Sequence, residues 1–558
     1  MKELAKKFII DATKKAGYAI PQNFSVDAPP NLEMGDCATN IAMIIAGRDK
    51  KNPREIAEKI VENISKETEI AKVEIAGPGF INIFLADKIY EEEFKKILLE
   101  RENYGKGSKK KTKVLVEYVS ANPTGPLHVG NARGGPIGDA VANLMEFMGY
   151  TAGREFYVND MGLQIERFGR SLYYWYAKKS DERIEFPADG YPAPYVKEMS
   201  DQIQKEKKGE LEKIQDEPEL INFFIKEGLC QAIKSIRADC ELIGIKFDNW
   251  AYESDLQHGG KADRAISLLK DGGFTTNKEG ALWFKNPDDA ELEDKESVLI
   301  KSDGKTATYF ADDIAYHIDK FERGYDKFIN IWGANHHGHL PRFRAAMKAL
   351  GYPHDKYEIL FYQYIRLKKK GKAFSMGKRL GNFVTLREVI ESGVEPDAFK
   401  YFILSQNPNT PFDFDLELAA DTSEKNPVFY IKYAHARICS ILAKAGHEPQ
   451  RYMAGDGSKV KTESADFNLL KNEKEISLYK ELVKFPELLI EVSDNFQLQA
   501  LPHFAHKIAG LFHDFYSSCQ VLSEDKKLTS ARLSLVLATK YVLVNTLSIC
   551  GIEAPEKM

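Results

Sequence analysis

Apolar residues recur along this chain with two periods, and each change of period marks a change of element. Val114, Leu115, Val116, Tyr118 and Val119 form a short run of apolar β-formers, the pattern of a buried strand. Asn122-Pro123-Thr124-Gly125-Pro126 follows as a turn cluster. Ile137, Val141, Leu144 and Met148 then repeat at helical spacing, and Gly149 suits a C-cap. The order is strand, loop, helix N-terminus, with polar residues packed into the loop. Free backbone N–H groups and the positive end of a helix dipole make such a loop a ready anion site.

The same reading divides the rest of the chain. Residues 1–108 predict a small α+β unit. An N-terminal helix leads into a loop with Pro21, Pro29 and Pro30, and Gly35-Asp36 precedes a second helix. Val73, Ile75, Phe80, Ile81, Ile83 and Phe84 give two short strands around Gly77-Pro78-Gly79, a hairpin signal. Residues 104–111, with Lys109, Lys110 and Lys111, read as a linker. Residues 156–160 predict a second strand. The α/β pattern is then interrupted by an aromatic helix over 165–180 and a polar helical stretch over 203–218, with strands expected at 243–249 and 283–285. Thr308-Tyr309-Phe310 is expected to close a short strand. Asp312 or Asp313 then starts a helix with Ile314, Ala315, Ile318 and Phe321 on one face. A further strand over 327–332 ends at Gly333-Ala334-Asn335-His336-His337-Gly338. Residues 426–558 carry repeated amphipathic helices, an all-helical bundle.

Composition adds bounds. A chain of 558 residues is too long for one core, so three or four domains are expected. With 43% hydrophobic and 29% charged residues it has the make-up of a soluble globular protein. No apolar run is expected to reach membrane-spanning length. The amphipathic N-terminus contains Glu3 and Asp11 and lacks the apolar region of a signal peptide. Six scattered cysteines with no Cys-x-x-Cys pair suggest reduced thiols and a cytoplasmic protein. A net charge of −5 does not advertise nucleic-acid binding, so any RNA contact must be local.

The loop is not a Walker A loop and carries no Gly-x-Gly-x-x-Gly. His128-x-Gly130-x, preceded by Pro-Thr-Gly-Pro, resembles the HIGH motif of class I aminoacyl-tRNA synthetases, and the full stretch resembles the arginyl-tRNA synthetases. The fourth position is Asn131 instead of His; it donates a hydrogen bond but carries no charge. In the basic loop 367–382, Ser375-Met376-Gly377-Lys378-Arg379 resembles the KMSKS loop, with Ser375 replacing the first lysine and Gly377 the central serine. The resemblance implies a multidomain α/β and all-α protein with a Rossmann-like class I catalytic core over 109–395. It further implies a connective insertion at about 165–295 and an N-terminal α+β domain over 1–108 that touches the tRNA elbow. A stem-contact segment over 396–425 and a C-terminal helical bundle over 426–558, the anticodon-binding (DALR) domain, complete it.

The same resemblance implies roles. Catalysis falls to His128, Asn131, Lys378 and Arg379. ATP is held by Pro126, His128, Gly130, Asn131, Gly333, His336, Met376 and Lys378. Arginine is held by Glu117, Ser120, Asn122, His128, Tyr309, Asp313 and His337, with carboxylates reading the guanidinium. Tyr433 and Arg437 contact tRNA. Glu117, alone in an apolar strand, is either functional or half of a structural ion pair. His336, His337 and His339 invite a metal, but no carboxylate or cysteine stands at a familiar ligand spacing, so no protein-bound zinc is expected. The expected partners are tRNA(Arg), L-arginine and ATP with Mg²⁺, in a monomer with no membrane association. Two alternatives stay open. One is a different class I synthetase, although a cysteinyl enzyme would carry zinc-type cysteines and an enzyme for an aliphatic amino acid a larger insertion. The other is a tRNA-binding protein inactivated through Asn131, Ser375 and Gly377.

Overall fold

The computed structural model describes residues 1–558 except 28, 30–33, 65–66, 286–296, 304–306, 370–371, 375–383 and 447–465. Its centre is a five-stranded parallel sheet with Lys113–Glu117 in the middle. Thr151–Val158 and Asn249–Tyr252 extend it on one side, Lys327–Gly333 and Tyr357–Tyr362 on the other. Helices cover both faces, which is why Val114, Leu115 and Val116, like Phe328 and Ile329, run apolar without alternation. The helix Gly134–Phe147 lies very close to the sheet. A Cβ on Gly138 would meet the Tyr118 ring at 2.1 Å, so only glycine permits this approach. The chain starts at the centre, builds to one edge, then crosses to the other. Strand order therefore reverses between Lys113–Glu117 and Lys327–Gly333, and the crevice at their C-terminal ends is where such sheets bind ligands.

The interruption predicted after the second strand is present. Leu163–Ala177, Pro194–Glu206, Lys208–Leu211 and Glu217–Leu242 are helices. They share a core of Phe168, Leu172, Val196 and Phe224. The strand expected at 243–249 is displaced to Asn249–Tyr252. Ile243 and Ile245 are buried, but in the turn that closes the long helix, with Ile245 packed over Gly135. That strand belongs to the central sheet, so it divides the span 165–295 into two excursions. The second comprises the helices Glu253–His258 and Lys261–Asp271 and an antiparallel sheet of Thr275–Lys278, Ala281–Phe284 and Val298–Ile300.

Thr308-Tyr309-Phe310 does not close a strand. Pairing ends at the Ile300–Ala307 bridge, Thr308 takes the N-cap position, and Tyr309–Glu322 is helical. Phe310, Ile314, Ala315 and Ile318 are all buried, a helical period that begins one turn earlier than the sequence suggested.

The N-terminal unit holds a four-stranded antiparallel sheet in which Ile70–Ala76 and Phe80–Leu85 form the expected hairpin. Gly77 and Gly79 turn it at φ of 53° and 135°. The C-terminal bundle contains Pro427–Lys444, Glu473–Leu482, Phe485–Asn495, Ala500–Ser518 and Lys526–Ile549. The last helix is long and apolar enough to cross a membrane, against the expectation that no run reaches that length. Here it is the bundle's core helix, with Leu535, Val536, Val542 and Leu543 fully buried. All six cysteines are free; five are buried, and Cys230 is exposed on Glu217–Leu242.

Candidate active site

His128 is the N-cap of a single helical turn, Val129–Ala132, and its Nδ1 accepts the Asn131 N–H at 3.3 Å. A Cβ on Gly130 would lie 3.0 Å from the imidazole Cε1, so glycine lets the ring fold back over the helix start. The loop is stitched to the chain that leaves the basic segment. Val129 N–H donates to the Val384 carbonyl at 3.0 Å, Leu386 N–H to the Leu127 carbonyl at 2.8 Å, and His128 bridges Thr385. Thr385 then caps Leu386–Glu391 through a reciprocal bond with Glu388. Asp239, fully buried on the long insertion helix, pairs with Arg387 at 2.7 Å and accepts the Leu127 N–H at 3.3 Å. Two segments far apart in sequence thus meet at one crevice. Ser375, Met376, Gly377, Lys378 and Arg379 lie outside the described residues.

The facing wall comes from Gly333, which ends its strand, and the turn Ala334–His339. His337 stacks on Phe361 with centroids 4.0 Å apart. His339 Nε2 lies 2.5 Å from Asp313 Oδ2. Burial pushes the pKa of His336 down, which favours a neutral imidazole beside Trp332. The three histidines turn to different partners. Among the described residues no group of three or more His, Cys, Asp or Glu side chains could hold a metal ion.

Glu117 forms an ion pair inside the protein. It is buried, and Lys320 Nζ, also fully buried, donates to its Oε2 at 2.6 Å. Its Oε1 accepts the Ser120 hydroxyl at 3.0 Å. The expectation that Glu117 reads a guanidinium therefore meets a carboxylate whose charge is already balanced. Nearby, Glu155 is balanced in the same way by a bidentate Arg323, with N–O distances of 2.5 and 2.9 Å.

A different carboxylate group is not balanced. Glu253, just past the end of the strand Asn249–Tyr252, is buried beside Asp312, Asp160 and Asp313. Burial, then Asp312, Asp160 and Asp313, push its pKa up to about 8. Burial and Asp313 push Asp312 up to about 6. One oxygen of Asp312 is buried without a hydrogen-bond partner. Among the described residues no lysine or arginine offsets these charges. Tyr309, at the first turn of the same helix as Asp312 and Asp313, is 54% exposed at the opening. Asn122 is exposed on the strand side and donates to Gln164 at 2.7 Å.

Sequence reading missed Glu253, Asp312 and Asp160 as members of one group. A signal existed: Glu253 follows Trp250-Ala251-Tyr252, and residues at the C-terminal ends of parallel strands face ligands. Placing that strand too early hid it. Tyr433 and Arg437 lie in the C-terminal bundle. Arg437 donates to the Tyr433 hydroxyl and sits 4.9 Å over the rings of both Tyr433 and Tyr516.

Three family models match in order. Residues 3–85 match the arginyl tRNA synthetase N terminal domain, residues 93–418 the catalytic domain of class I (R) tRNA synthetases, and residues 431–558 the DALR anticodon binding domain. The arginine–tRNA ligase of Shouchella clausii is 40% identical over 96% of this chain and 94% of its own length. That of Caldanaerobacter subterraneus is 40% identical over 100% of this chain and 98% of its own. The solved arginyl-tRNA synthetase of Thermus thermophilus shares the fold with a TM-score of 0.75, at 21% identity, across 100% of both chains. A catalytic-domain model spanning more than half the sequence, flanked by both accessory domains in order, leaves one assignment: the chain belongs to the arginyl-tRNA synthetase family.

Proposed function

We propose that this chain carries out the arginine–tRNA ligase reaction with its guanidinium receptor in the group Glu253, Asp313 and Tyr309, and not at Glu117. The observation that carries this reading is the buried pair Glu253 and Asp312, beside Asp313 and, among the described residues, with no lysine or arginine against it. Glu253 and Asp312 share a hydrogen bond, which requires a proton on one of them, and a planar cation would displace it. Arginine bound there extends its own carboxylate toward the His128 loop, past Ser120 and Asn122 on one side and His337 on the other.

Activation needs no protein nucleophile. The arginine carboxylate attacks the α-phosphate of ATP and pyrophosphate leaves, so the protein's work is alignment and stabilisation of phosphate charge. Pro126, His128, Gly130 and Asn131 would hold ATP from the helix start, Gly333 and His336 from the facing turn. Met376, Lys378 and Arg379 would close over the phosphates, and Mg²⁺ would arrive with ATP. Pairing of 384–386 with 127–129 supports this arrangement, because it brings the exit of the cationic loop to His128. In the second step a ribose hydroxyl at the tRNA 3′ end takes the acyl group. Tyr433 and Arg437, with Tyr516, would offer bases a stacking surface, and the unit over 1–108 would touch the tRNA elbow. A cytoplasmic monomer is the simplest form of this reading.

The test is ATP–pyrophosphate exchange with arginine and, in parallel, each other amino acid, with and without tRNA. Exchange supported by arginine alone among the amino acids is expected. Exchange with a different amino acid would overturn the reading, and tRNA binding with no exchange at all would favour an inactive tRNA-binding protein. Lys378→Ala should slow exchange with little loss of tRNA affinity; the reverse pattern would displace the cationic loop from the phosphates.

A further inference from the structure

Val119 and Ser120 both sit at positive φ, 65° and 40°. Left-handed backbone is uncommon outside glycine, and for a β-branched residue it is an outlier. Two such residues in succession persist only where the surroundings over-determine them. Here they come one residue after the central strand and carry the chain to Asn122 at the crevice.

Besides the bond of its N–H to the Tyr118 carbonyl at 2.9 Å, Ser120 is held by a chain of hydrogen bonds that runs through Lys320. The Tyr157 N–H donates to the Ser120 hydroxyl at 3.1 Å, and that hydroxyl donates to Glu117 at 3.0 Å. The Lys320 ammonium donates to Glu117 at 2.6 Å and, in the other direction, to Asn330 Oδ1 at 3.0 Å. The Asn330 amide lies 2.8 Å from His317 Nε2, and His317 Nδ1 lies 2.8 Å from the Asp313 carbonyl. Only the tautomer with hydrogen on Nδ1 satisfies both contacts: it donates to the Asp313 carbonyl and accepts from Asn330. The third face of the ammonium rests 4.1 Å from the Tyr316 ring centroid. Lys320 and Asn330 are fully buried, and Glu117 and His317 nearly so. The chain links the ends of the strands Lys113–Glu117 and Thr151–Val158 and the middle of Lys327–Gly333 to the helix Tyr309–Glu322. It runs from Ser120 on one side of the pocket to the main-chain carbonyl of Asp313 on the other.

We propose that Lys320 is a positioning residue for the amino-acid pocket: one buried ammonium locks the left-handed Val119-Ser120 step on one wall and, through Asn330 and His317, ties it to the first turns of the helix that carries Asp313 on the other. It touches no substrate. The proposal rests on the reading that this pocket takes arginine. Lys320→Met alone would leave Glu117 buried and unpaired, so the informative variant is Glu117→Gln with Lys320→Met, which removes both charges together. In pyrophosphate exchange its KM for arginine should rise at least tenfold, while the KM for ATP stays within twofold. Ser120→Ala, which cuts the chain without touching the ion pair, should raise the arginine KM several-fold.

A backbone test separates positioning from general support. In the doubly neutral background, Val119→Gly should recover at least threefold of the lost arginine affinity and Val119→Ala should not, because only glycine adopts positive φ freely. An unchanged arginine KM, equal rises for arginine and ATP, or identical behaviour of Gly and Ala at 119 would overturn the role of Lys320. The pocket assignment fails separately, if Glu253→Gln leaves the arginine KM unchanged.

Discussion

Two groups of buried carboxylates flank the same end of the same sheet, and they differ in one respect. Glu117 and Glu155 are matched by Lys320 and Arg323 at hydrogen-bond distance. Among the described residues Glu253 and Asp312 have no such match, and their pKa values are pushed up to about 8 and about 6. Burial is similar, so burial alone does not explain the difference. A complete ion pair specifies geometry within the protein, whereas an incomplete one leaves electrostatic work for a ligand. The comparison teaches that acidity in a pocket is informative only after its internal counter-charges have been assigned.

The contrast can be broken experimentally. Arg323→Met should have the largest effect, a stability loss of about 3 kcal/mol, because Glu155 would stay buried and unpaired. Urea denaturation reads this directly, and the arginine KM should change little. Glu253→Gln should do the opposite. It should raise the arginine KM roughly 10- to 100-fold, the range for a lost charge-assisted hydrogen bond. It should also raise the thermal midpoint by a few degrees at pH 8. The sign follows from linkage. The folded protein holds a proton on Glu253 that the unfolded chain releases above its ordinary pKa of 4.5, so this group lowers stability as pH rises from there to about 8. A glutamine removes that loss.

The pH dependence of binding is a finer probe. A guanidinium needs the ionised carboxylate, so the arginine KM should fall as pH rises from 6 to 8, by at most about tenfold per unit for one proton released. Glu253→Gln should flatten the profile. A slope that persists in this variant would assign the proton to another group. The smallest effect is expected far from both groups. Arg437→Ala should raise the KM for tRNA by roughly three- to tenfold, in keeping with loss of one cation–π and stacking contact, and leave the arginine KM unchanged.

The division into a sheet-based core, an antiparallel N-terminal unit and a helical C-terminal bundle was legible in periodicity. So was the strand–loop–helix around His128, because its turn residues and glycines are local signals. Glu117 stood out in its apolar strand, and both explanations for it were visible, but its partner lies on a helix 203 residues away. Glu253 carried a local sign, its place after Trp250-Ala251-Tyr252, but its proximity to Asp160 did not, since that is created by pairing of Thr151–Val158 with Asn249–Tyr252. Asp312 and Asp313 are neighbours in sequence, and only the helix start at Tyr309 decides which way each one faces.

The exposure of Cys230 has a practical use. Burial raises the pKa of Cys37, Cys240 and Cys550 to about 12, and Cys439 and Cys519 are also buried and shifted upward. A maleimide dye at neutral pH should therefore attach at one position, without mutagenesis. That position lies on Glu217–Leu242, the same rigid helix whose far end grips Leu127 and Arg387 through Asp239. Fluorescence from the dye would follow this helix in real time as nucleotide, amino acid and RNA are added in turn.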